Sequence, residues 1–335
     1  MFSTPTVSGD LVYIGSCAGI FYGLEARTGK VRWSYDIRKD GSQNSFHGNP
    51  LITNDLILVG TDGGSAGHIY AFEKNTGRVA WKYQATASNG FGRGVGTDIV
   101  RLGERVYGVE LGDELVCLDL KTGRLNWSFL KPFTEQAWST APATFGNRVY
   151  FGALNGTMYG LDAASGAVIW SRELGARISA SPVIVGNDLY VGAANNYIYR
   201  LRPASGEVIN RLELETIPVG PLTPAGDMLL TMLNPRGGAG TSKAVVCIDP
   251  SKMKVIWSQG STSDWTMRQP LVLARAVLAG NEAGEVAAFR LNDGTATWTH
   301  QFKGTIRSIG NSGNVLYVGT LHGTVYAYDT AGLWR

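Results

Sequence analysis

Short runs of alternating apolar and polar residues recur along the chain in a fixed order. Leu11-Val-Tyr-Ile-Gly15 leads to Phe21-Tyr-Gly-Leu-Glu25, then to Thr28-Gly29 and Trp33. The second copy runs from Leu56-Ile-Leu-Val-Gly60 through Ile69-Tyr-Ala-Phe-Glu73 and Thr76-Gly77 to Trp81. A third reads Arg105-Val-Tyr-Gly108, Val116-Cys-Leu-Asp119, Thr122-Gly123 and Trp127, and a fourth Arg148-Val-Tyr-Phe-Gly152, Met158-Tyr-Gly-Leu-Asp162, Ser165-Gly166 and Trp170. The fifth keeps Leu189-Tyr-Val-Gly192, Ile198-Tyr-Arg-Leu-Arg202 and Ser205-Gly206 but carries Asn210 where tryptophan is due. The sixth keeps Val245-Val-Cys-Ile-Asp249 and Trp257 without the glycine. The seventh has Val277-Leu-Ala-Gly280, Val286-Ala-Ala-Phe-Arg290, Gly294 and Trp298, and the eighth Leu316-Tyr-Val-Gly319 and Val325-Tyr-Ala-Tyr-Asp329. The tryptophans fall 48, 46, 43, 87 and 41 residues apart, the long gap being two repeats.

Period-two alternation bounded by Gly, Asn and Asp predicts strands. Each repeat reads as four: a small-residue strand such as Ser179-Ala-Ser-Pro-Val-Ile, a second ending in Gly, a third ending in an acid, and a fourth carrying Trp. The Thr/Ser-Gly pair supplies the positive φ of a tight hairpin. The acid before it can accept hydrogen bonds from the turn's backbone N–H groups. Four-stranded sheets repeating every forty to fifty residues fit an all-β, eight-bladed β-propeller of four-stranded antiparallel blades, as one domain over residues 1–335. A tryptophan on each outer strand can lie between two blades and bury roughly 150–250 Å². The sequence ends at Leu333-Trp334-Arg335, so the eighth blade is expected to have a short or missing outer strand.

The combined pattern is S-x-P, L-V-Y-V-G, G-x-h-Y-x-L-D and T-G-x-x-x-W, with h apolar. It resembles the PQQ-like eight-bladed β-propeller superfamily over nearly the whole chain. That superfamily contains quinoprotein alcohol and glucose dehydrogenases, BamB-type outer-membrane assembly lipoproteins, and sensor domains. WD40 and kelch signatures are missing: Asp264-Trp265 does not recur, and Gly63-Gly64 and Gly237-Gly238 are isolated. The dehydrogenases of this fold often add a vicinal disulfide over the quinone and a calcium held by converging oxygen ligands. Cys17, Cys117 and Cys247 are far apart, and Asp119, Asp162, Asp249 and Asp329 sit in equivalent turns. The resemblance therefore implies a non-catalytic scaffold for a protein or peptide partner, of the BamB-like kind. PQQ-dependent alcohol dehydrogenase, with PQQ and calcium, and a small-ligand sensor are the alternatives. No cofactor is expected for the scaffold. The resemblance also implies a periplasmic or extracellular location, although Met1-Phe2-Ser3-Thr4-Pro5 shows no signal-peptide pattern.

Composition narrows the partner. Thirty Lys plus Arg against 27 Asp plus Glu leave a formal charge of +3, which gives no electrostatic reason to expect nucleic acid. No apolar run is long enough for a transmembrane helix. A monomer is expected. The three cysteines have no C-x-x-C spacing, so neither a zinc site nor a disulfide framework is read from them. Cys117 and Cys247 hold the same strand position and read as small core residues.

Aligning the first strands on S-x-P places His47, Arg93, Trp138, Arg268 and Arg307 at the mouth of a propeller channel, near Ser139 and Ser179. Small residues are expected where strands crowd an axis, so three arginines and a histidine are conspicuous. Arg presents a fork of donors that suits carboxylates, so the candidate ligand is a small anion. The competing reading is that these side chains are solvated or paired with acids such as Asp98 or Asp264. The glycine-rich segments Asn234–Lys243 and Thr61–Gly67 are the longest inter-strand insertions and read as extended hairpins. The first lacks the G-K-[ST] ending of a phosphate cradle.

Overall fold

The computed structural model describes residues 3–89, 92–130, 139–234, 244–261, 263, 265 and 269–331. Almost every regular element in it is a β-strand; one 3-10 turn, Ile37–Asp40, follows the fourth strand. Repeat one folds as Thr6–Ser8, Leu11–Gly15, Ile20–Glu25 and Val31–Asp36, paired antiparallel in chain order. Repeat two gives Leu51–Ile52, Leu56–Gly60, His68–Glu73 and Val79–Gln84, and repeat three Val100–Leu102, Arg105–Val109, Glu114–Asp119 and Leu125–Leu130. Repeat four gives Ala143–Phe145, Arg148–Gly152, Thr157–Asp162 and Val168–Glu173. Repeats five and six, Ile178–Glu213 and Ile217–Gly260, are two such sheets joined through a parallel contact of their first strands, Ala180 to Gly220 and Ser181 to Pro221. Repeat seven spans Leu271–Gln301 in four strands. In repeat eight three strands are described, Ile306–Ser312, Val315–Thr320 and Val325–Asp329. Leu333–Arg335 lie outside the described residues.

The chain divides into two compact units. The first comprises Met1–Val149, Leu161–Ala167 and Gly310–Ser312. Its core has one cluster around Tyr13, Phe21, Trp33, Phe46 and Phe72, and another around Ile69, Trp81, Val95 and Val116. The second comprises Tyr150–Gly160, Val168–Ile309 and Gly313–Arg335. Its clusters centre on Tyr190 and Leu229, on Trp257, Trp265 and Phe289, and on Leu278, Phe302 and Leu316.

One local device recurs in both units. The tryptophan of the fourth strand lies opposite a small residue of the third: Gly23 to Trp33, Ala71 to Trp81, Cys117 to Trp127, Cys247 to Trp257 and Ala288 to Trp298. Immediately after that pair the register slips by one, a β-bulge that sharpens the local twist. The indole N–H then donates to a turn carbonyl of the following repeat: Trp33 to Lys74, Trp81 to Leu120, Trp127 to Ala163, Trp170 to Pro203 and Trp257 to Leu291, at 2.8–3.3 Å. The buried tyrosines of the second strand reach the same carbonyls from Tyr13, Tyr107 and Tyr150. One carbonyl has two lone pairs, so it satisfies both donors. Repeat five departs from this as a pair: Asn210 replaces the indole, and the residue opposite is Arg200. Arg200 instead holds Asp188 at 2.6 Å.

The turns follow the acidic pattern. Asp119 Oδ1 accepts from Lys121 N, Thr122 N and Thr122 Oγ1 at 2.7–3.1 Å. Asp162 does the same with Ala164 and Ser165, and Asp249 with Ser251 and Lys252.

Candidate functional site

The first unit brings two of the sequence candidates to one loop. His47 and Arg93 flank Thr61–Gly67, which joins the second and third strands of repeat two. Neither lies within a repeat's first strand. His47 precedes Leu51–Ile52, and Arg93 sits in a two-residue ribbon, Ser88–Asn89 with Gly92–Arg93, ahead of Val100–Leu102. The reason is local: Gly and Pro interrupt alternation there, and the ladder is reduced to the single bridges Ser45 to Asp62 and Gly64 to Arg93.

The loop is held on both sides. Asp62 N–H donates to Ser45 O, while Asp62 O accepts from the N–H groups of Asn44 and Ser45, all at 3.1 Å. Arg93 N–H donates to Gly64 O at 3.0 Å. Gly94 has φ +138, and a Cβ there would run into Asp62 and the Thr61 carbonyl. This extended hairpin is therefore packed backbone on backbone.

His47 turns Nδ1 onto both oxygens of the buried Asp62 carboxylate, at 2.7 and 2.8 Å. A carboxylate at Nδ1 fixes the ring orientation. Behind this pair lies a buried polar network that sequence reading missed. Gln43 Nε2 donates to Ile37 O and to Tyr70 Oη; Gln43 Oε1 accepts from Thr61 Oγ1 at 2.5 Å and lies 3.1 Å from His68 Nδ1. Tyr70 and Tyr35 both donate to Asp40 Oδ2, and Lys82 reaches Asp40 Oδ1 at 2.6 Å. Burial alone would raise the Asp40 carboxyl, yet the bonds from Lys82, Tyr35 and Tyr70 carry it below its ordinary value. Burial pushes His68 down, with Lys82 adding to the effect. The only trace of this network in the sequence is the polar insertion between Asp36 and Pro50, which belongs to no strand pattern.

A second buried group anchors the Arg93 ribbon. Glu110, fully buried, accepts from Thr86 N at 2.7 Å and Ala87 N at 2.6 Å, and from Tyr83 Oη at 3.0 Å. Burial pushes its carboxyl up to about 7. Ser139 Oγ donates to the Glu110 carbonyl. Asp98, weighed from the sequence as a partner for the arginines, accepts from Asn49 N and Asn49 Nδ2 at 2.7 and 3.1 Å.

The other candidates are elsewhere. Arg307 belongs to the second unit, half-buried on Ile306–Ser312 between buried Ile306 and Ser308. Ser179, also in that unit, donates to Pro218 O at 2.7 Å. Trp138, Arg268 and Asp264 lie outside the described residues. No helix is long and apolar enough to cross a membrane among the described residues.

Comparison with known proteins supplies the lineage. The model of the PQQ_2 family, described as outer membrane protein assembly factor BamB, matches residues 2–130, 130–231 and 194–332. The outer membrane protein assembly factor BamB of Shewanella oneidensis is 26% identical over 174 residues, which cover 51% of this chain and 42% of that protein. The chain thus spans less than half the length of that relative in the match. Among solved structures, BamB from Moraxella catarrhalis superposes with a TM-score of 0.77 at 19% identity, covering 98% of this chain and 96% of that one. The quinohemoprotein alcohol dehydrogenase from Comamonas testosteroni superposes with a TM-score of 0.76 at 14% identity, covering 99% and 75%. These likenesses show the fold, a β-propeller of four-stranded antiparallel blades.

Cys117 and Cys247 are fully buried thiols in the Trp-facing position, with Asn126 Nδ2 on Cys117 and Leu291 O accepting from Cys247. Burial pushes the Cys247 thiol up to about 11. The recurrent aspartates Asp119, Asp162 and Asp249 each place Oδ1 on their own turn. The repeat pattern, the sheet order and the family match over residues 2–332 agree: this chain belongs to the PQQ_2 family of outer membrane protein assembly factor BamB.

Proposed function

We propose that this chain is a non-catalytic scaffold of the BamB kind, a β-propeller that holds protein or peptide partners during outer-membrane protein assembly. The observation that carries it is the family match running from residue 2 to residue 332, so the kinship is not confined to one repeat. The finer reading is a single eight-bladed domain over residues 1–335, monomeric and periplasmic, its blades locked by the tryptophan seats. No cofactor is assigned. His47 and Arg93, held on either side of Thr61–Gly67, form the proposed contact for a carboxylate of the partner. Arg307, Trp138 and Arg268 are each carried separately as proposed ligand contacts.

The test is complementation of a bacterial strain lacking its own BamB. The scaffold reading expects restored levels of outer-membrane β-barrel proteins, and a reduced effect with His47→Ala plus Arg93→Ala. Wild-type protein that is exported and folded yet restores nothing would refute it. Reconstitution with PQQ and calcium followed by a dye-linked alcohol assay separates the enzyme alternative; turnover there would overturn the scaffold assignment.

A further inference from the structure

The residue at the end of a second strand opens the turn to the third. Ser16, Thr61, Glu110, Ala153, Asn281 and Thr320 hold this place, each donating its N–H to the carbonyl across its turn at 2.8–2.9 Å. In four of them a neutral side chain also closes that turn. Ser16 Oγ accepts from Ile20 N, Thr61 Oγ1 from His68 N, Asn281 Oδ1 from Glu285 N and Thr320 Oγ1 from Thr324 N. Ala153 manages without a polar side chain. Glu110 is the acid among these six, and its carboxyl reaches away from its own turn. A hydroxyl or an amide serves the turn elsewhere, so the turn itself does not call for an ionisable group.

What Glu110 holds is a strap. Ala85–Asn89 and Gly92–Val95 lie between the Thr61–Gly67 loop and the Glu110–Glu114 turn. On the loop side Ala85 N–H donates to Gly67 O, Arg93 N–H to Gly64 O and Val95 N–H to Thr61 O, at 2.8–3.0 Å. On the turn side Leu111 N–H donates to Gly94 O at 2.9 Å. The N–H groups of Thr86 and Ala87 both end on Glu110 Oε2, at 2.7 and 2.6 Å, while Oε1 takes the Tyr83 hydroxyl. The fit is close, since a Cβ on Gly112 would strike Ala87 and Ser88.

The two forms of this carboxyl differ in what they cost. Protonated, Oε2 is a carbonyl oxygen whose two lone pairs serve both N–H groups. Ionised, it is a charge sealed from water. Burial outweighs the donors and carries the carboxyl up to about 7, with Glu114 adding to the rise. The other titratable or charged groups on the elements packed against it, among the described residues, are few. Asp113 is buried on the same turn, Tyr83 stands on Val79–Gln84, and Arg93 is exposed on the strap. Across the strap the loop carries Asp62, which holds His47. Ser139 brings only a hydroxyl, donated to the Glu110 carbonyl.

We propose that Ala85–Asn89 with Gly92–Val95 is a proton-latched strap: protonated Glu110 keeps it shut against the Thr61–Gly67 loop, and loss of that proton to solvent lets it lift, carrying Arg93 with it. Linkage sets the direction. An open strap returns Glu110 to water and to its ordinary 4.5, so the latch is at full strength below that pH and has given way once pH has risen past about 7. This goes beyond the scaffold reading and holds whether or not Arg93 meets a partner.

The test is amide exchange read by mass spectrometry on the 335-residue protein between pH 5 and 8, corrected for the intrinsic pH dependence of exchange. At Thr86, Ala87, Arg93 and Val95 the opening constant is expected to rise by about tenfold or more across this range. Exchange there should stay faster than at Leu115–Leu118 and indifferent to low urea, as local opening is. In Glu110→Gln the rise should vanish, with the strap at its wild-type pH 5 level, because the amide oxygen still accepts from both N–H groups. Should that variant not fold, Tyr83→Phe serves instead: the ionised carboxylate loses a charge-assisted bond, so the rise should level off at a higher pH. A strap whose corrected exchange is level from pH 5 to 8 overturns the proposal. So does a rise that the folded variant leaves unchanged, or one shared with Leu115–Leu118 at the same urea dependence, which belongs to unfolding of the whole chain.

Discussion

Gly77 and Gly29 occupy the same turn of successive repeats with nearly the same backbone, φ +68 and +69. A Cβ on Gly77 would overlap the Trp33 ring, whereas Gly29 has nothing within 4 Å among the described residues. Alanine at either site carries the strain of positive φ, on the order of 1 kcal/mol. Only Gly77→Ala must also displace an indole, adding roughly 1–3 kcal/mol. Urea unfolding of the two variants should therefore differ by about that amount, with Gly77→Ala the weaker. Glu110 ties its charge to stability. Its folded value, about 7, lies above the unfolded 4.5, so between those limits the folded chain holds a proton the unfolded chain has lost. The contribution is complete below 4.5 and disappears as pH rises through about 7, a loss on the order of 3 kcal/mol. Glu110→Gln should flatten the fall in urea midpoint across that window, because an amide still accepts from Thr86 and Ala87 without ionising. Neither Glu110 nor Gln43 was readable beforehand. A buried carboxyl and a buried amide carry no mark in a sequence, and only their neighbours reveal them.

At the scale of elements, second, third and fourth strands were legible because each is short, alternating and closed by Gly, an acid or Trp. Their bounds in the structure fall on the runs quoted from the sequence, as with Leu11–Gly15 and Leu56–Gly60. First strands were less legible. Repeat two keeps only Leu51–Ile52, and the segments bearing His47 and Arg93 are bridges and a ribbon, since Pro removes a ladder donor and Gly packs nothing. The network around Gln43, Tyr70 and Asp40 holds the segment before His47, and Glu110 holds the one before the Arg93 ribbon. Tyr70→Phe deletes a hydroxyl that accepts from Gln43 and donates to Asp40, leaving both short of a buried partner. A cost of roughly 1–3 kcal/mol is expected, with faster amide exchange over residues 37–47 and 61–68. Tyr13→Phe, which loses one bond to the Lys74 carbonyl, should cost about 1 kcal/mol and leave that exchange unchanged.

For the molecule as a whole, the titrating groups pull in opposite directions. Glu25, Asp36, Glu73, Asp119, Asp162, Asp249 and Asp293 all lie below their ordinary values, through bonds to Thr28, Arg38, Arg78, Thr122, Ser165, Lys252 and the Thr295 N–H respectively. A depressed carboxyl stabilises above its unfolded value, 3.8 or 4.5, and ceases to do so as pH falls through the folded one. These groups lie at the surface, most of them partly exposed, so each contributes little and salt reduces it. Stability therefore falls at low pH, where these carboxylates and, below its unfolded 6.5, His68 take up protons, and it falls again towards pH 7, where Glu110 ionises. A midpoint that climbs steadily from pH 5 to 8 would contradict that balance.

The sequence by itself determined the repeat, the strand order within it and the family, because periodicity and turn chemistry are local and are written eight times. It also showed the loss of tryptophan at Asn210, whereas the small residue facing each indole, and Arg200 facing Asn210, came from the strand register. Tertiary structure alone decided that His47 turns to Asp62 and that Glu110 is sealed from water. Those facts depend on which distant segments meet and how much solvent they exclude. No run of neighbouring residues encodes either quantity.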